Sequence, residues 1–340
     1  MENIRTDFER YARLRVLEDE IYGKKGEKRP AEDNSAVKKA AIYNKAFWEH
    51  MHTGVPENAL KGGSDGSGGY LVPDTYENRL VEGLAEKNIF RRIARTVPVT
   101  HRLRIPQVLS TGAAEWVPEN TFVPIEDVTF GEIEITPHKI GTLALVTDEL
   151  LEDSGFDLEA FINTMISERI GDCEEIAFID GNGVGKPLGL LSQAQVGVVS
   201  ERVGTLVLDD LVDMQHSIKT PYRDNAVWLM SEEARVRLQQ LWLLHGRAVW
   251  EKSAVDGEPD MLLGKKMYIS KNMPDVAPGS KPILYGNFDY FWIGDPGKRS
   301  IKRLSERYAD MGVVGFLATQ RVDTKLVQPE AVKVLQIKAE

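Results

Sequence analysis

A glycine-rich run at 181–187 is the stretch whose spacing comes closest to a site for phosphate chemistry. A phosphate-binding loop of the Walker type needs GxxxxGK followed by Ser or Thr, whose hydroxyl binds magnesium. In this chain Gly181 and Gly185 are one residue too close, and Pro187 stands where the hydroxyl is required. Proline also removes an N–H that such a loop would direct at phosphate. We therefore predict a structural turn.

The sequence also lacks a complete set of ligands for a metal cation. Asp180 and Asn182 are two apart, as in a calcium loop, but Val184 occupies the place of the third ligand and the closing glutamate is missing. His50 and His52 have no further ligands nearby in the sequence. We interpret both histidines as surface residues.

Nucleophilic and acid–base chemistry also lacks a complete set of residues. Cys173 falls within a predicted helix with no histidine nearby, which favours a core or interface residue. The carboxylate pairs Glu174-Glu175 and Glu232-Glu233 are interpreted as solvated helix faces. No G-x-S-x-G, HExxH or CxxC motif occurs. We expect no catalytic, metal or cofactor-binding residues, hence a protein that is not an enzyme.

Composition restricts the class further. The 340 residues have a formal charge of −10 and 42% hydrophobic residues, enough for a substantial core. An acidic surface disfavours sequence-wide binding to a phosphate backbone. The single cysteine excludes an internal disulfide, and neither a signal peptide nor an apolar membrane span is apparent. We expect a soluble protein made in a cytoplasm.

The first third of the chain predicts helices and a linker. Residues 1–33 are rich in both charges and have a narrow apolar stripe, which suits a partner helix; its members are Ile4, Phe8, Tyr11, Leu14, Leu17 and Ile21. A shorter helix is predicted over 36–51, and the glycine- and serine-rich run at 62–69 predicts flexible or extended chain. Helical spacing resumes over 74–95.

Two long strand-like segments follow, at 96–108 and 127–147, separated by an irregular stretch. Before Gly131 the apolar residues Val128 and Phe130 occupy even positions, whereas after it Ile133 and Ile135 occupy odd ones. This change in the alternation predicts a β-bulge at Gly131. We interpret the whole as a two-stranded arm with an irregular tip. Because a hairpin of this kind is marginal in water by itself, it must lie on another surface, for which a neighbouring subunit is the natural candidate.

The rest of the chain predicts a mixed α+β fold. The strongest helix covers 157–179, and the glycine-rich turn ends it. A helix at 208–218, a buried strand at 225–230 and a helix with Ser231 as its N-cap follow. Further strands are predicted at 264–270, 282–293, 300–304, 315–322 and 331–338.

From residue 68 onward the chain resembles the major capsid proteins of tailed phages with the Hong Kong 97 fold. The phrases that carry the resemblance are weak singly and specific in their order: Gly68-Gly69-Tyr70-Leu71-Val72-Pro73, Ile93-Ala94-Arg95-Thr96-Val97-Pro98-Val99, Ala114-Glu115-Trp116-Val117-Pro118-Glu119, Lys139-Ile140-Gly141, Leu145-Val146-Thr147-Asp148-Glu149-Leu150-Leu151-Glu152-Asp153-Ser154, Phe178-Ile179-Asp180-Gly181-Asn182-Gly183 with Pro187-Leu188-Gly189-Leu190, Ile283-Leu284-Tyr285-Gly286-Asn287-Phe288 and Ala331-Val332-Lys333-Val334-Leu335.

The resemblance implies a domain organisation. The N-terminal part comprises a charged helix at 1–33 (a short scaffold-like segment or an extension) and an arm or linker at 34–69. The body comprises an entry helix of the peripheral (P) domain at 70–98, an E-loop at 99–146, the P domain at 147–205 with a spine helix at 156–181, an axial (A) domain at 206–299, a return to the P domain at 300–330 and a C-terminal strand at 331–340.

The chain departs from relatives that cross-link a lysine near the E-loop tip to an asparagine in the P domain. No lysine lies between Thr100 and Lys139, and no asparagine follows Asn287. We therefore expect a shell without covalent cross-links. Whether and where residues 24–69 are processed stays open.

The implied function is that of a major capsid protein, which assembles into hexamers and pentamers of an icosahedral shell around double-stranded phage DNA. The implied partners are other copies of the chain, a portal, a scaffold or maturation protease and decoration proteins, with no membrane and no sequence-specific DNA binding. The implied location is the virion, after assembly in the host cytoplasm. The alternatives are an encapsulin-type compartment shell and, from another class, a cytoplasmic α+β enzyme or sugar-binding module.

Two groups of residues are candidates for subunit contacts. At the tip of the predicted arm they are Trp116, Val117, Phe122 and Ile125, for which a local core within the loop is the alternative. In the predicted A domain they are Trp242, His245, Arg247 and Trp250, for which burial in the domain core is equally compatible with the sequence.

Overall fold

A computed structural model describes most of the chain. The described residues are 34–55, 70–71, 73–110, 129–152, 155–245, 250–253, 258–297 and 299–339. The helices are α1 (Asn34–Thr53), α2 (Asp74–Lys87), α3 (Ile89–Ile93), α4 (Asp148–Glu152), α5 (Leu158–Asp180), α6 (Leu190–Gln193), α7 (Leu208–His216), α8 (Thr220–Arg223) and α9 (Glu232–His245), with 3₁₀ turns at Phe288–Tyr290 and Glu306–Met311.

Within the described residues, the strands form three sheets. They are β1 (Tyr70–Leu71), β2 (Arg95–Pro98), β3 (Leu103–Ser110), β4 (Thr129–Ile135), β5 (His138–Thr147), β6 (Gln195–Val203), β7 (Val227–Met230), β8 (Trp250–Glu251), β9 (Met261–Leu262), β10 (Lys265–Ile269), β11 (Ile283–Gly286), β12 (Phe291–Asp295), β13 (Ser300–Leu304), β14 (Val313–Leu326) and β15 (Val332–Lys338).

The first sheet has six strands and is organised around the long strand β14. Its order is β1-β13-β14-β12-β2, with β5 paired antiparallel along the other side of β14. Helices α1, α2 and α5 pack on this sheet, and buried side chains from all of them form one core that includes Phe47, Leu80, Ile162 and Phe316.

The second sheet has seven strands in the order β6-β15-β11-β7-β10-β9-β8. It mixes parallel and antiparallel pairs, and its last strand in the chain, β15, lies between β6 and β11. Helices α7 and α9 contribute to its core, with Trp228 and Tyr285 stacked at a ring-centroid distance of 4.2 Å. The predicted cap of α9 is confirmed, because the Ala234 N–H donates to Ser231 Oγ at 3.2 Å.

The two larger sheets share an aromatic core at their junction. Phe90, Phe178, Phe288 and Phe291 are each at most 1% exposed and pack with ring centroids 5.5–6.4 Å apart. Burial of one such side chain stabilises a fold by roughly 1.5–3 kcal/mol. The junction is therefore a packed interface rather than a linker.

Helix α5 passes along this junction and ends in the turn predicted from its glycines. The Asp157 side chain caps its start by accepting from the Ala160 N–H at 3.0 Å. At its end the Gly189 N–H donates to the Gly181 carbonyl at 2.8 Å. A Cβ on Gly181 would lie 2.0 Å from the Pro187 carbonyl oxygen, so glycine is required by this close approach.

Four predicted elements were wrong in detail. The strand predicted at 282–293 is two strands, β11 and β12, which belong to different sheets. The helix predicted over 74–95 is two helices, because Asn88 leaves the helical conformation and its side chain caps α3 through the Phe90 N–H at 2.9 Å. Each long strand is broken: 95–98 and 138–147 belong to the six-stranded sheet, and only 103–110 and 129–135 pair as a separate ribbon.

The predicted β-bulge at Gly131 is also wrong. Gly131 pairs regularly with Gln107, and the register shift lies between Val108 and Ser110 on the facing strand. The alternation of apolar residues along a strand specifies its pairing register only where one face is buried. Over most of the described length of this ribbon, neither face is fully buried.

Candidate assembly surfaces

Strands β3 and β4 form a two-stranded sheet of their own, which we call the arm. Its base is anchored, because Ile135 is buried and the Thr136 N–H donates to Asp323 Oδ2 at 2.8 Å. Beyond the base, the described side chains at 103–107 and 131–134 are exposed or half-buried. Because a two-stranded sheet is marginal in water without a surface to pack on, the arm is a candidate contact surface.

Ion pairs cross the exposed part of the arm. Arg102 contacts Glu134 at 2.8 Å and Arg104 contacts Glu132 at 3.1 Å, all with side chains at least 39% exposed. Such exposed pairs contribute about 0–1 kcal/mol each. They bias the register of the ribbon but do not stabilise it against unfolding by themselves.

The residues proposed from sequence as subunit contacts are only partly placed. Four of them, Trp116, Val117, Phe122 and Ile125, lie in 111–128, outside the described residues. Arg247 also lies outside the described residues, in 246–249. Trp242 and His245 lie on α9, and only their backbone is described. Trp250 is half-buried against the core of the seven-stranded sheet. A subunit contact at any of these residues stays a prediction.

The structure adds exposed apolar residues that the sequence did not single out. Phe161 and Ile176 are 38% and 52% exposed on α5. Val196, Val199 and Val203 are 42–55% exposed on β6, which is an edge strand of the seven-stranded sheet. Exposed edges and apolar patches mark contact surfaces more often than isolated apolar side chains do.

A network of buried charges joins helices α2, α3 and α5 to the six-stranded sheet. Arg91 on α3 donates to Glu174 from Nε and Nη2, both at 2.7 Å, and to Asp295 Oδ2 at 2.9 Å. Arg299 donates to the same Asp295 oxygen at 2.8 Å and to Glu77 at 2.8 Å. The Arg91 and Arg299 side chains are each 4% exposed.

The electrostatics of this network favour its charged form. Burial alone would raise the pKa of Asp295, but the Arg91 and Arg299 guanidiniums and the Gly297 N–H outweigh it and hold that pKa below its usual value. Burial would lower the pKa of Arg91, but Glu174 and Asp295 raise it instead. No periodic pattern in the sequence indicates this network, because its members come from four separated segments.

The interpretation of Glu174-Glu175 as a solvated face is wrong. Both residues are buried, at 1% and 3% exposure, because α5 is covered on that side by α3 and by both sheets. The other pair is as predicted in part: Glu232 is exposed and Glu233 half-buried.

The described residues offer little for catalysis. They contain no cluster of three or more His, Cys, Asp or Glu side chains that could hold a metal ion. Cys173 is exposed, and partial burial together with the Glu174 carboxylate raises the pKa of its thiol, which disfavours the reactive thiolate. Residues 181–187 form a turn, with Gly183 and Gly185 at positive φ. None of the helices in the described part combines the length and apolar character that crossing a bilayer demands.

Solved structures with a similar arrangement of helices and sheets include a capsid and an encapsulin. The capsid of a native GTA particle is 25% identical, covers 74% of this chain and 90% of its own, and superposes with a TM-score of 0.65. An encapsulin complex from Synechococcus elongatus PCC 7942 is 16% identical, covers 73% of this chain and 86% of its own, and gives a TM-score of 0.55. At the latter identity only the fold is shared. The fold is the α+β capsid fold of the Hong Kong 97 type.

Sequence comparison adds the family. The chain belongs to the phage capsid family, whose model matches residues 68–337. A major capsid protein of Klebsiella oxytoca phage phiKO2 is 22% identical over 251 residues, which cover 69% of this chain. The match spans 58% of that relative's own length.

Proposed function

We propose that this chain is a major capsid protein of a tailed phage, which assembles with copies of itself into an icosahedral shell. The observation that carries the proposal is the match of 68–337 to the phage capsid family. The named relative with a curated function has the same role. The arm supports it independently, since a two-stranded ribbon with one exposed and one half-buried face is marginal in water without a further surface.

In this proposal the parts of the fold take distinct roles. The six-stranded sheet with α5 is the P domain and its spine helix, the arm is the E-loop, and the seven-stranded sheet forms most of the A domain. The arm lies over a neighbouring subunit, and the A domains surround the centres of hexamers and pentamers. Many individually weak contacts then sum over a closed, symmetric shell.

The shell holds together without covalent cross-links and without a cofactor, and the chain has no enzymatic role. It encloses double-stranded DNA without gripping it, because a chain of net charge −10 repels phosphate. Tight, salt-sensitive binding of duplex DNA by assembled shells would contradict this part. Portal, scaffold or maturation protease and decoration proteins complete the partner set, and assembly takes place in the host cytoplasm.

Negative-stain electron microscopy of the purified chain, with sedimentation velocity beside it, tests the proposal. Closed shells, or rings of five and six subunits, are expected. A chain that stays monomeric at high concentration, both alone and with the scaffold of its own phage, would contradict the assignment. Shells that form but package a protein cargo and no DNA would favour an encapsulin. The shared fold is the observation that supports this alternative.

A further inference from the structure

Glu174 and Glu175 are consecutive residues near the end of α5 that bind different parts of the fold. Glu174 accepts from Arg91 on α3, as described above, and from Nε2 of Gln320 on β14 in a short hydrogen bond. It therefore fastens the helix to the six-stranded sheet.

Glu175 faces the seven-stranded sheet instead. Its Oε1 accepts from the Ser270 hydroxyl in a short hydrogen bond and from Asn272 Nδ2 at 3.3 Å. Ser270 is itself fixed to that sheet, because its N–H donates to the Met230 carbonyl at 3.0 Å. The second oxygen of Glu175 accepts from the Ile89 N–H at 3.1 Å, at the start of α3.

Helix geometry explains how neighbouring residues reach two sheets. Successive side chains on an α-helix point about 100° apart, so one helix position lying between two sheets can bind each of them. A rotation of one sheet relative to the other would break the bonds of Glu174 or those of Glu175. The pair thus responds to the angle between the sheets and not merely to their proximity.

Burying the side chain of Glu175 costs free energy of folding. Its carboxylate is buried, and among the residues that the structure describes it has no salt bridge, only neutral donors. Well-packed apolar residues at such positions are often as stable as, or more stable than, buried charges. A buried charge that aligns three donors from two segments instead specifies a single geometry.

We infer that Glu175, held by Ser270, Asn272 and the Ile89 N–H, is a positioning residue that fixes the angle between the two sheets. This inference rests on the proposed function, because in a shell that angle sets how the subunit body fits the local curvature. Loss of this alignment is therefore expected to change the diameter at which the shell closes. The exposed pair Lys271–Asp172 at 3.0 Å bridges the same junction but contributes little to the alignment.

The test uses the full chain with two alternative substitutions. Glu175→Gln keeps the shape of the side chain but turns an amide N–H₂ toward one of the donors. Ser270→Ala removes one of the two donors on the side of the seven-stranded sheet and keeps Glu175, so it tests the same contact if Glu175→Gln does not fold. Glu168→Gln is the control on the same helix, since its partner Lys87 forms an exposed pair at 3.0 Å.

Trp228→Phe is a second control, because it destabilises the seven-stranded sheet through the loss of a hydrogen bond to Leu262 without touching the junction. Shell diameters are measured by cryo-electron microscopy. Glu175→Gln and Ser270→Ala are expected to give shells of altered or mixed diameter, or open assemblies of subunits that do not close into shells. Both controls are expected to give shells of the wild-type diameter.

Hydrogen exchange on the unassembled chain tests the contact without assembly. Amide exchange at 89–93 and 270–273 is expected to rise at least about tenfold in both substituted chains and not in Glu168→Gln, because a hydrogen bond to a charged group is lost. Wild-type diameters together with unchanged exchange would overturn the inference. A wild-type chain that forms no shell would contradict the proposed function, whereas the exchange result would still decide the role of Glu175.

Discussion

Substitution of Asp295 by Asn perturbs the charge network with the smallest change of shape. One carboxylate oxygen of Asp295 accepts from both Arg91 and Arg299, at 2.9 and 2.8 Å, and the other accepts from the Gly297 N–H at 2.9 Å. Asparagine has one oxygen and one N–H₂ group, so it satisfies either the two guanidiniums or the backbone N–H, but not both.

The magnitude follows from what remains around each arginine. Breaking a buried ion pair by neutralising one partner costs about 3–5 kcal/mol, because the other charge stays buried. Arg91 retains both bonds to Glu174, and Arg299 retains its bonds to Glu77 and Gln320. We therefore expect the lower end of that range, a loss of about 3 kcal/mol from the free energy of unfolding.

The pH dependence has a definite sign. The pKa of Asp295 is lowered in the folded chain, so this carboxylate binds a proton more readily when the chain is unfolded. Its stabilisation is fully present above the unfolded pKa, about 4, and is lost as the pH falls through the lower, folded pKa. The difference between wild type and Asp295→Asn should shrink over that interval.

Urea unfolding of the unassembled chain, followed by tryptophan fluorescence and circular dichroism from pH 7 to pH 3, measures both effects. Asp172→Asn is the matched control, because Asp172 pairs with Lys271 where the two side chains are 44% and 70% exposed. That change should cost less than about 1 kcal/mol. The reasoning would be refuted if Asp295→Asn cost no more than Asp172→Asn at pH 7, or if their difference grew toward acid.

Four further substitutions test the packing by the same unfolding measurement. Gly189→Ala should cost about 3 kcal/mol, because its Cβ would lie 2.4 Å from a backbone nitrogen. Gly185→Ala has open space around it and should cost only about 1 kcal/mol, because of its positive φ. Equal effects of the two substitutions would contradict the steric argument. Phe178→Ala should cost about 3–5 kcal/mol at the junction core, and a cost below 1 kcal/mol would refute the packed junction. Trp228→Phe should cost about 1–3 kcal/mol by leaving the Leu262 carbonyl without its donor; an unchanged midpoint would indicate that this carbonyl finds another partner.

Local features of the fold were predictable from the sequence. The long helix predicted over 157–179 spans Leu158–Asp180 and ends at the predicted glycine-rich turn, and the cap of α9 at Ser231 was identified correctly. These features depend on side chains that contact their own backbone neighbours, so the sequence alone contains the relevant interactions.

The division of the two long strand segments between sheets was not predictable in the same way. Residues 138–147 continue directly from the arm but pair with β14, which lies about 175 residues later in the chain. Alternating apolar residues indicate that a segment is extended, not which strand lies beside it. Only the completed sheet decides that partner.

The burial of Glu174 and Glu175 shows the same limit at a candidate site. Their sequence, two acidic residues on an amphipathic helix, determined that they lie side by side on that helix and predicted exposure. The tertiary structure alone decided that α3 and both sheets cover them, and it supplied donors from positions 83 to 146 residues away. A buried carboxylate is stable only when distant donors converge on it, and that convergence is a property of the packed fold and not of any local stretch of sequence.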